Sequence, residues 1–114
     1  MSVKLPGWKR QPQPNPEMCN RLRQYVVEAV YARFNNGKKT SRLLPIYLIV
    51  DERIRKERPT IWPERWGIPI KRTVDRRVSE AANPRFYPEG EVPKIVAVTS
   101  GVYTVNPVLV EART

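Results

Sequence analysis

Arginine and small polar residues fall on one side of a helix predicted over residues 70–82. At about 100° per residue, the opposite side collects the apolar residues Ile70, Val74, Val78 and Ala81. The polar side holds Arg72, Arg76, Ser79 and Asn83, with Asp75 beside it and Lys71, Thr73 and Arg77 at the borders. A short helix with an apolar back and such a polar front fits the major groove of DNA. A solvated basic face on a packed helix is the alternative interpretation.

The charge of the whole chain favours a polyanionic partner. Its 114 residues contain 21 Lys and Arg against 11 Asp and Glu, so the net charge is +10. Residues 86–114 contain two basic and three acidic residues, a net charge of −1. The basic excess therefore lies in residues 1–85, which include the predicted polar helix face.

Residue types that most catalytic sites need are missing from this sequence. The chain has no His and a single Cys, Cys19, which excludes His-based triads, His-ligated zinc and an intrachain disulfide. The five glycines are scattered, so no glycine-rich phosphate loop is present. Asp51 and Glu52 are adjacent on a predicted helix and diverge, which disfavours a two-carboxylate metal site. We therefore expect no enzymatic activity, no catalytic residue, no metal and no cofactor.

Several basic residues outside the polar helix are candidates for phosphate contact. Lys38, Lys39 and Arg42 follow the first predicted helix, although such charged loops are often merely solvated. Lys9 and Arg10 lie in an N-terminal arm that suits a minor groove, or that touches nothing. Ser100 lies at the tip of a predicted hairpin and could donate a hydroxyl hydrogen bond to a phosphate. Because this tip contains no cation, the hairpin could equally well only close the core or form a dimer contact.

The remaining segments predict a proline-rich arm over residues 1–15 and one domain over 16–114. Asn15 and Pro16 begin a helix over 16–35, a short strand fits within 38–44, and a second helix covers 45–57. A helical turn is predicted over 63–67. Trp62 precedes it and Trp66 lies within it, and these two residues either anchor the connector in the core or stack on a base. Strands over 94–99 and 102–106 form a hairpin, and 108–110 form one more short strand or a packing tail.

The segment from Gly67 to Val78 resembles the turn and recognition helix of helix-turn-helix regulators. Its sequence GIPIKRTVDRRV contains a turn glycine followed by a Thr-Val-x-Arg stretch. With the hairpin behind it, residues 16–106 resemble a winged helix-turn-helix domain. The resemblance implies an α+β fold with a three-helix core followed by a C-terminal β-hairpin wing, and double-stranded DNA as partner. The connector over 60–66 is longer than a tight turn, so either the second and third helices lie far apart or the turn at Pro63 is an extra element.

We therefore expect a sequence-specific DNA-binding protein, a small transcriptional regulator whose recognition helix is 70–82. The alternatives are a winged-helix module that binds a protein in a transcription or replication assembly, and a less specific RNA- or DNA-binding protein. A homodimer stays open. The longest apolar run, from Leu43 to Val50, is too short to span a membrane. No apolar signal core is visible, so we expect a cytoplasmic, nucleoid-associated protein, or one in the host cytoplasm if viral. A phage, plasmid or archaeal origin stays open.

Overall fold

The computed structural model describes residues 15–111 and has an α+β architecture, which confirms the predicted class. Within these residues there are four α-helices and one three-stranded antiparallel sheet. In chain order the elements are α1 (Pro16–Asn35), β1 (Ser41–Arg42), α2 (Leu43–Glu57), α3 (Lys71–Ala81), β2 (Ile95–Thr99), β3 (Val102–Val105) and α4 (Pro107–Glu111). Short 3₁₀ helices cover Glu64–Trp66 and Pro84–Phe86. None of the helices in this part of the chain combines the length and apolar character of a membrane-spanning segment.

Local sequence determines both ends of α1, at the predicted bounds. The Asn15 side chain accepts hydrogen bonds from the backbone N–H groups of Glu17 at 2.8 Å and Met18 at 3.2 Å. These bonds satisfy backbone donors that have no partner inside the helix. Pro16 fits the first helical position because the N–H group that it lacks would have no intrahelical partner there. Gly37, with φ of 94°, adopts the left-handed conformation that follows the helix end.

The hydrophobic core lies where α1, α2 and α3 pack on one another and on the sheet. Each helix contributes one buried apolar stripe, as the spacing of its apolar residues requires. The largest fully buried side chains are Trp62, Leu22, Ile46, Ile54 and Ile95. Because α1 contacts both other long helices and β3, it is the central element against which α3 is positioned.

The connector between α2 and α3 is held by tryptophan. Trp62 is fully buried, and its indole N–H donates to the Gly67 carbonyl over 2.7 Å. Its ring meets that of Trp66 in a T-shaped arrangement with centroids 5.0 Å apart. Since α2 and α3 are in contact and a 3₁₀ helix lies between them, the turn at Pro63 is an extra element. Trp62 is thus a core anchor and cannot stack on an exposed base.

The sheet has the order β1–β3–β2. β3 lies in the middle, pairing Ser41 with Tyr103 on one side and Ile95 with Val105 on the other. The pairing of β2 with β3 shifts register between Ala97 and Thr99, near the hairpin turn. The predicted hairpin and the predicted short strand before α2 are therefore both present, and β1 places the start of α2 beside the hairpin.

Three details differ from the sequence-based expectations. Ile70 is 63 % exposed because α3 begins at Lys71, so Ile70 precedes the helix and does not join its apolar face. Helix α2 begins two residues earlier than predicted, with Pro45 inside its first turn, where a proline removes no intrahelical hydrogen bond. Residues 107–111 form a helix, so the short strand offered for 108–110 is wrong, whereas the alternative of a packing tail agrees with Val110, which packs against the core. The Asn106 side chain accepts from the Val108 N–H at 3.0 Å and thereby caps this helix.

Candidate nucleic-acid interface

The outward face of α3 carries Arg72, Arg76 and Ser79, all exposed. Its back is formed by Val74, Val78 and Ala81, which are at most 1 % exposed. Within residues 15–111, neither Arg72 nor Arg76 has an ion-pair partner. The two guanidinium groups lie one helical turn apart on a rigidly packed element, and both are available to an anionic or hydrogen-bond-accepting ligand.

The other predicted residues of this helix are engaged with the protein itself. Lys71 and Asp75 form an ion pair of 2.8 Å along the helix. Asn83 follows the helix, and its side-chain oxygen accepts from the Arg85 N–H at 2.9 Å to begin the second 3₁₀ helix. Thr73 is half-buried. The exposed cationic part of the predicted face therefore reduces to Arg72 and Arg76, with Ser79 beside them.

Arg77, predicted at the border of the polar face, is buried at 4 % exposure. Its Nη1 donates to Cys19 Sγ over 2.6 Å, and its Nη2 lies 3.0 Å from Glu80 Oε2. On a helical wheel Arg77 lies less than a quarter-turn from the centre of the apolar face, so this spacing was a signal that the position faces α1. What the sequence analysis missed is the buried partner, Cys19, which lies 58 residues away in the chain.

Glu80 extends this buried contact into a link between two helices. Besides Arg77 it pairs with Arg23 of α1, whose Nη1 lies 2.5 Å from Glu80 Oε1. Glu80 thus forms ion pairs with both Arg23 and Arg77, and its pair with Arg23 joins α1 to α3 beside their apolar contact. A helix held in this way presents its outward side chains with little backbone freedom, which lowers the entropic cost of binding through that face.

A second group of predicted contact residues comes together at the hairpin. Lys38, Lys39 and Arg42 are exposed, and Arg42 of β1 is paired with Val102. Ser100, exposed at the hairpin turn, lies two residues before Val102 in the chain. The Thr104 hydroxyl donates to the Lys39 carbonyl over 2.6 Å and fixes the basic loop against β3. The hairpin tip therefore has a neighbouring cation from β1, although its own sequence supplies none.

Internal ion pairs leave the exposed charge predominantly positive. Seven carboxylates in the described residues pair with Arg or Lys: Glu28, Asp51, Glu52, Glu57, Glu64, Asp75 and Glu80. By contrast Lys38, Arg42, Arg72 and Arg76 form no ion pair within residues 15–111. Their uncompensated charge favours the approach of a polyanion.

A polar network between α1 and α2 serves the fold. The Tyr25 hydroxyl donates to Glu57, and Arg53 Nε lies 3.0 Å from Glu57 Oε2. Burial opposes the charge of Glu57, but the hydrogen bonds from Tyr25 and Arg53 outweigh it and lower the pKa of the Glu57 carboxyl. Burial and the neighbouring Glu57 raise the pKa of the Tyr25 phenol. The carboxylate therefore stays ionised and holds the two helices together.

The geometry of the described residues does not bear on the N-terminal arm and offers no candidate metal site. Lys9 and Arg10 of the N-terminal arm lie outside the described residues. Within residues 15–111, no group of three or more Cys, Asp or Glu residues is placed to hold a metal ion.

Comparisons with known proteins identify no relative of this chain. No protein-family model matches it, and neither a curated protein nor a solved structure is detectably similar to it. Any function has to be argued from its own residues.

Proposed function

We propose that this protein binds double-stranded DNA in a sequence-specific manner and acts as a small transcriptional regulator, with α3 as its recognition helix. The observation that carries the proposal is the outward face of α3, where Arg72 and Arg76 are exposed and form no ion pair within residues 15–111. Arginine forms bidentate hydrogen bonds with guanine in the major groove, which a short, well-anchored helix can enter.

The order of the elements supports this assignment. A helix, a short strand, two helices and a hairpin follow one another, with β1 added to the hairpin. This order resembles that of a winged helix-turn-helix domain, in which α2 and α3 would form the helix-turn-helix and β2–β3 the wing. The 3₁₀ helix of Glu64–Trp66 would be an insertion in the turn.

In this proposal different residues provide specificity and affinity. Arg72 and Arg76 would contact base edges, while Lys38, Lys39 and Arg42 would contact phosphates beside the wing, where Ser100 could donate a hydroxyl hydrogen bond. Phosphate contacts release counterions and make affinity depend on salt, whereas base contacts change the preferred sequence.

The test is selection of bound duplexes from a random pool, followed by affinity measurements on the enriched site. Arg72→Ala and Arg76→Ala should each cost about 1–3 kcal/mol on that site and relax the preference at one base pair. Arg55→Ala is the matched control, because Arg55 is exposed but engaged with Asp51 on α2. Equal losses on specific and random DNA would show that α3 grips phosphates without reading bases. No enrichment and no binding at low salt would refute DNA binding altogether.

A protein-interaction module is the second candidate, favoured by the exposed apolar residues of the hairpin. Val98 on β2 is 56 % exposed and the hairpin turn has no cation. In that case the hairpin would dock on a partner within a transcription or replication assembly. Val98→Glu should then abolish the partner complex and leave duplex binding unchanged. If the hairpin contacts DNA instead, the same variant should keep any partner complex and lose affinity for the duplex.

A further inference from the structure

A groove of about 640 Å³ lies on the side of α1 that faces the segment between α3 and β2. Its size is within the range of about 300–1,000 Å³ of small-molecule sites. Its lining includes the aromatic residues Tyr31, Phe86 and Tyr87 and the apolar residue Val27. The Arg23 guanidinium lies over the Phe86 ring, 5.2 Å from its centroid, but Phe86 is still 46 % exposed, so part of a large apolar ring faces water at this groove. Covering that ring with an apolar ligand would be favourable.

The tyrosine hydroxyls of the groove are engaged in the fold. The Tyr87 hydroxyl donates to the Ala81 carbonyl at 2.7 Å and accepts from the Lys94 N–H at 3.2 Å. The Tyr31 hydroxyl donates to the Lys94 carbonyl at 3.2 Å. These bonds fix the two rings in place, and Tyr87 offers a ligand mainly the surface of its ring, which suits a planar aromatic group.

The charged residues of the groove leave one cation uncompensated. Arg23 pairs with Glu80, and Glu28 pairs with Arg53 and accepts from Gln24. Lys94 is exposed and forms no ion pair with any residue of the described chain. A ligand that matches this wall therefore carries one anionic group beside its apolar part.

We infer that this groove binds a planar aromatic carboxylate, with its rings on Phe86 and Tyr87 and its carboxylate on the Lys94 ammonium. The bond from Tyr87 to Ala81 and the ion pair from Arg23 to Glu80 both reach the last turn of α3. If α3 reads DNA as proposed above, the ligand acts as an effector by restraining the end of that helix. The binding itself does not depend on the DNA-binding function.

The experiment uses naphthalene-2-carboxylate as probe and the uncharged naphthalene-2-carboxamide as its matched ligand control. Each is titrated into the full chain while backbone amide NMR signals are followed. The carboxylate should shift signals of residues 86–94 and of the facing turns of α1, and it should bind more tightly than the carboxamide. Absence of saturable shifts in these segments with either probe overturns the inference.

Three variants separate the two parts of the site. Lys94→Gln should weaken the carboxylate about three- to fivefold, as expected for one exposed ion pair, and leave the carboxamide unchanged. Phe86→Ala should weaken both probes, and Lys56→Gln, an exposed lysine on α2 that pairs with Glu52, should change neither. If Lys94→Gln weakens both probes equally, or neither, the assignment of the carboxylate to Lys94 is wrong. A thermal melt of each variant identifies any loss that comes from unfolding.

DNA binding is measured separately, with and without the carboxylate probe. Probe binding without any duplex affinity would support the groove and refute the regulator. Duplex binding that the bound probe leaves unaltered would support the proposed function and refute the effector role of the groove.

Discussion

Replacing Arg77 by Ala should destabilise the fold by about 3 kcal/mol, whereas the same change at its neighbour Arg76 should cost less than about 0.5 kcal/mol. The contrast arises because Arg77 is 4 % exposed, while Arg76 lies on the outward face of α3. Removing one member of a buried ion pair typically costs 3–5 kcal/mol because the other charge loses its partner. Here Glu80 keeps Arg23 at 2.5 Å, so the expected loss is at the lower end of that range.

Thermal melting followed by far-ultraviolet circular dichroism, together with urea denaturation, provides the test. For a domain of about 100 residues, 3 kcal/mol corresponds to a fall in Tm of roughly 12–24 °C. Arg77→Met should lose less than Arg77→Ala, because its apolar stem refills the space of the arginine stem between α1 and α3. An Arg77→Ala protein that melts within about 2 °C of the parent would refute the buried position of Arg77 and the orientation of α3 that depends on it.

Three further predictions concern the core, the acid limit and the salt response. Val74→Asp should unfold the protein because it places a charge without a partner at a position 1 % exposed, while Val98→Asp on the exposed hairpin should melt close to the parent. The pKa of Glu57 is lower in the folded protein than its unfolded value of about 4.5, so ionised Glu57 stabilises the fold above that pH. This contribution disappears as the pH falls through the folded pKa. Urea midpoints should therefore fall on acidification, and Glu57→Gln should flatten this dependence. If about five phosphates are contacted, the logarithm of the duplex affinity should fall against the logarithm of salt with a slope of roughly −4 to −5, and replacing Lys38 and Lys39 together should make it shallower by about 2; an unchanged slope would remove those two lysines from the contact.

Local sequence was sufficient for the elements whose ends carry their own signals. Asn15 and Pro16 begin α1, and Gly37 follows its end, because capping bonds and a positive φ involve neighbouring residues alone. The apolar spacing of Val74, Val78 and Ala81 likewise determined which side of α3 is buried, and thereby left Arg72 and Arg76 outward. The α+β class followed from three helical segments and a hairpin.

Contacts between distant segments decided the rest, since no local pattern encodes them. The burial of Arg77 depends on Cys19 and Glu80, which lie on two different helices, and on α1 covering that side of α3. Trp62 became a core anchor because Gly67 supplies a carbonyl acceptor within the packed connector. Arg42 reached the hairpin through the pairing of β1 with β3, and the groove beside Lys94 exists because α1 faces the segment that follows α3. Sequence thus determined the helices and their apolar faces, while tertiary packing selected which of the many cations remain free to bind, because pairing is a property of distance in space.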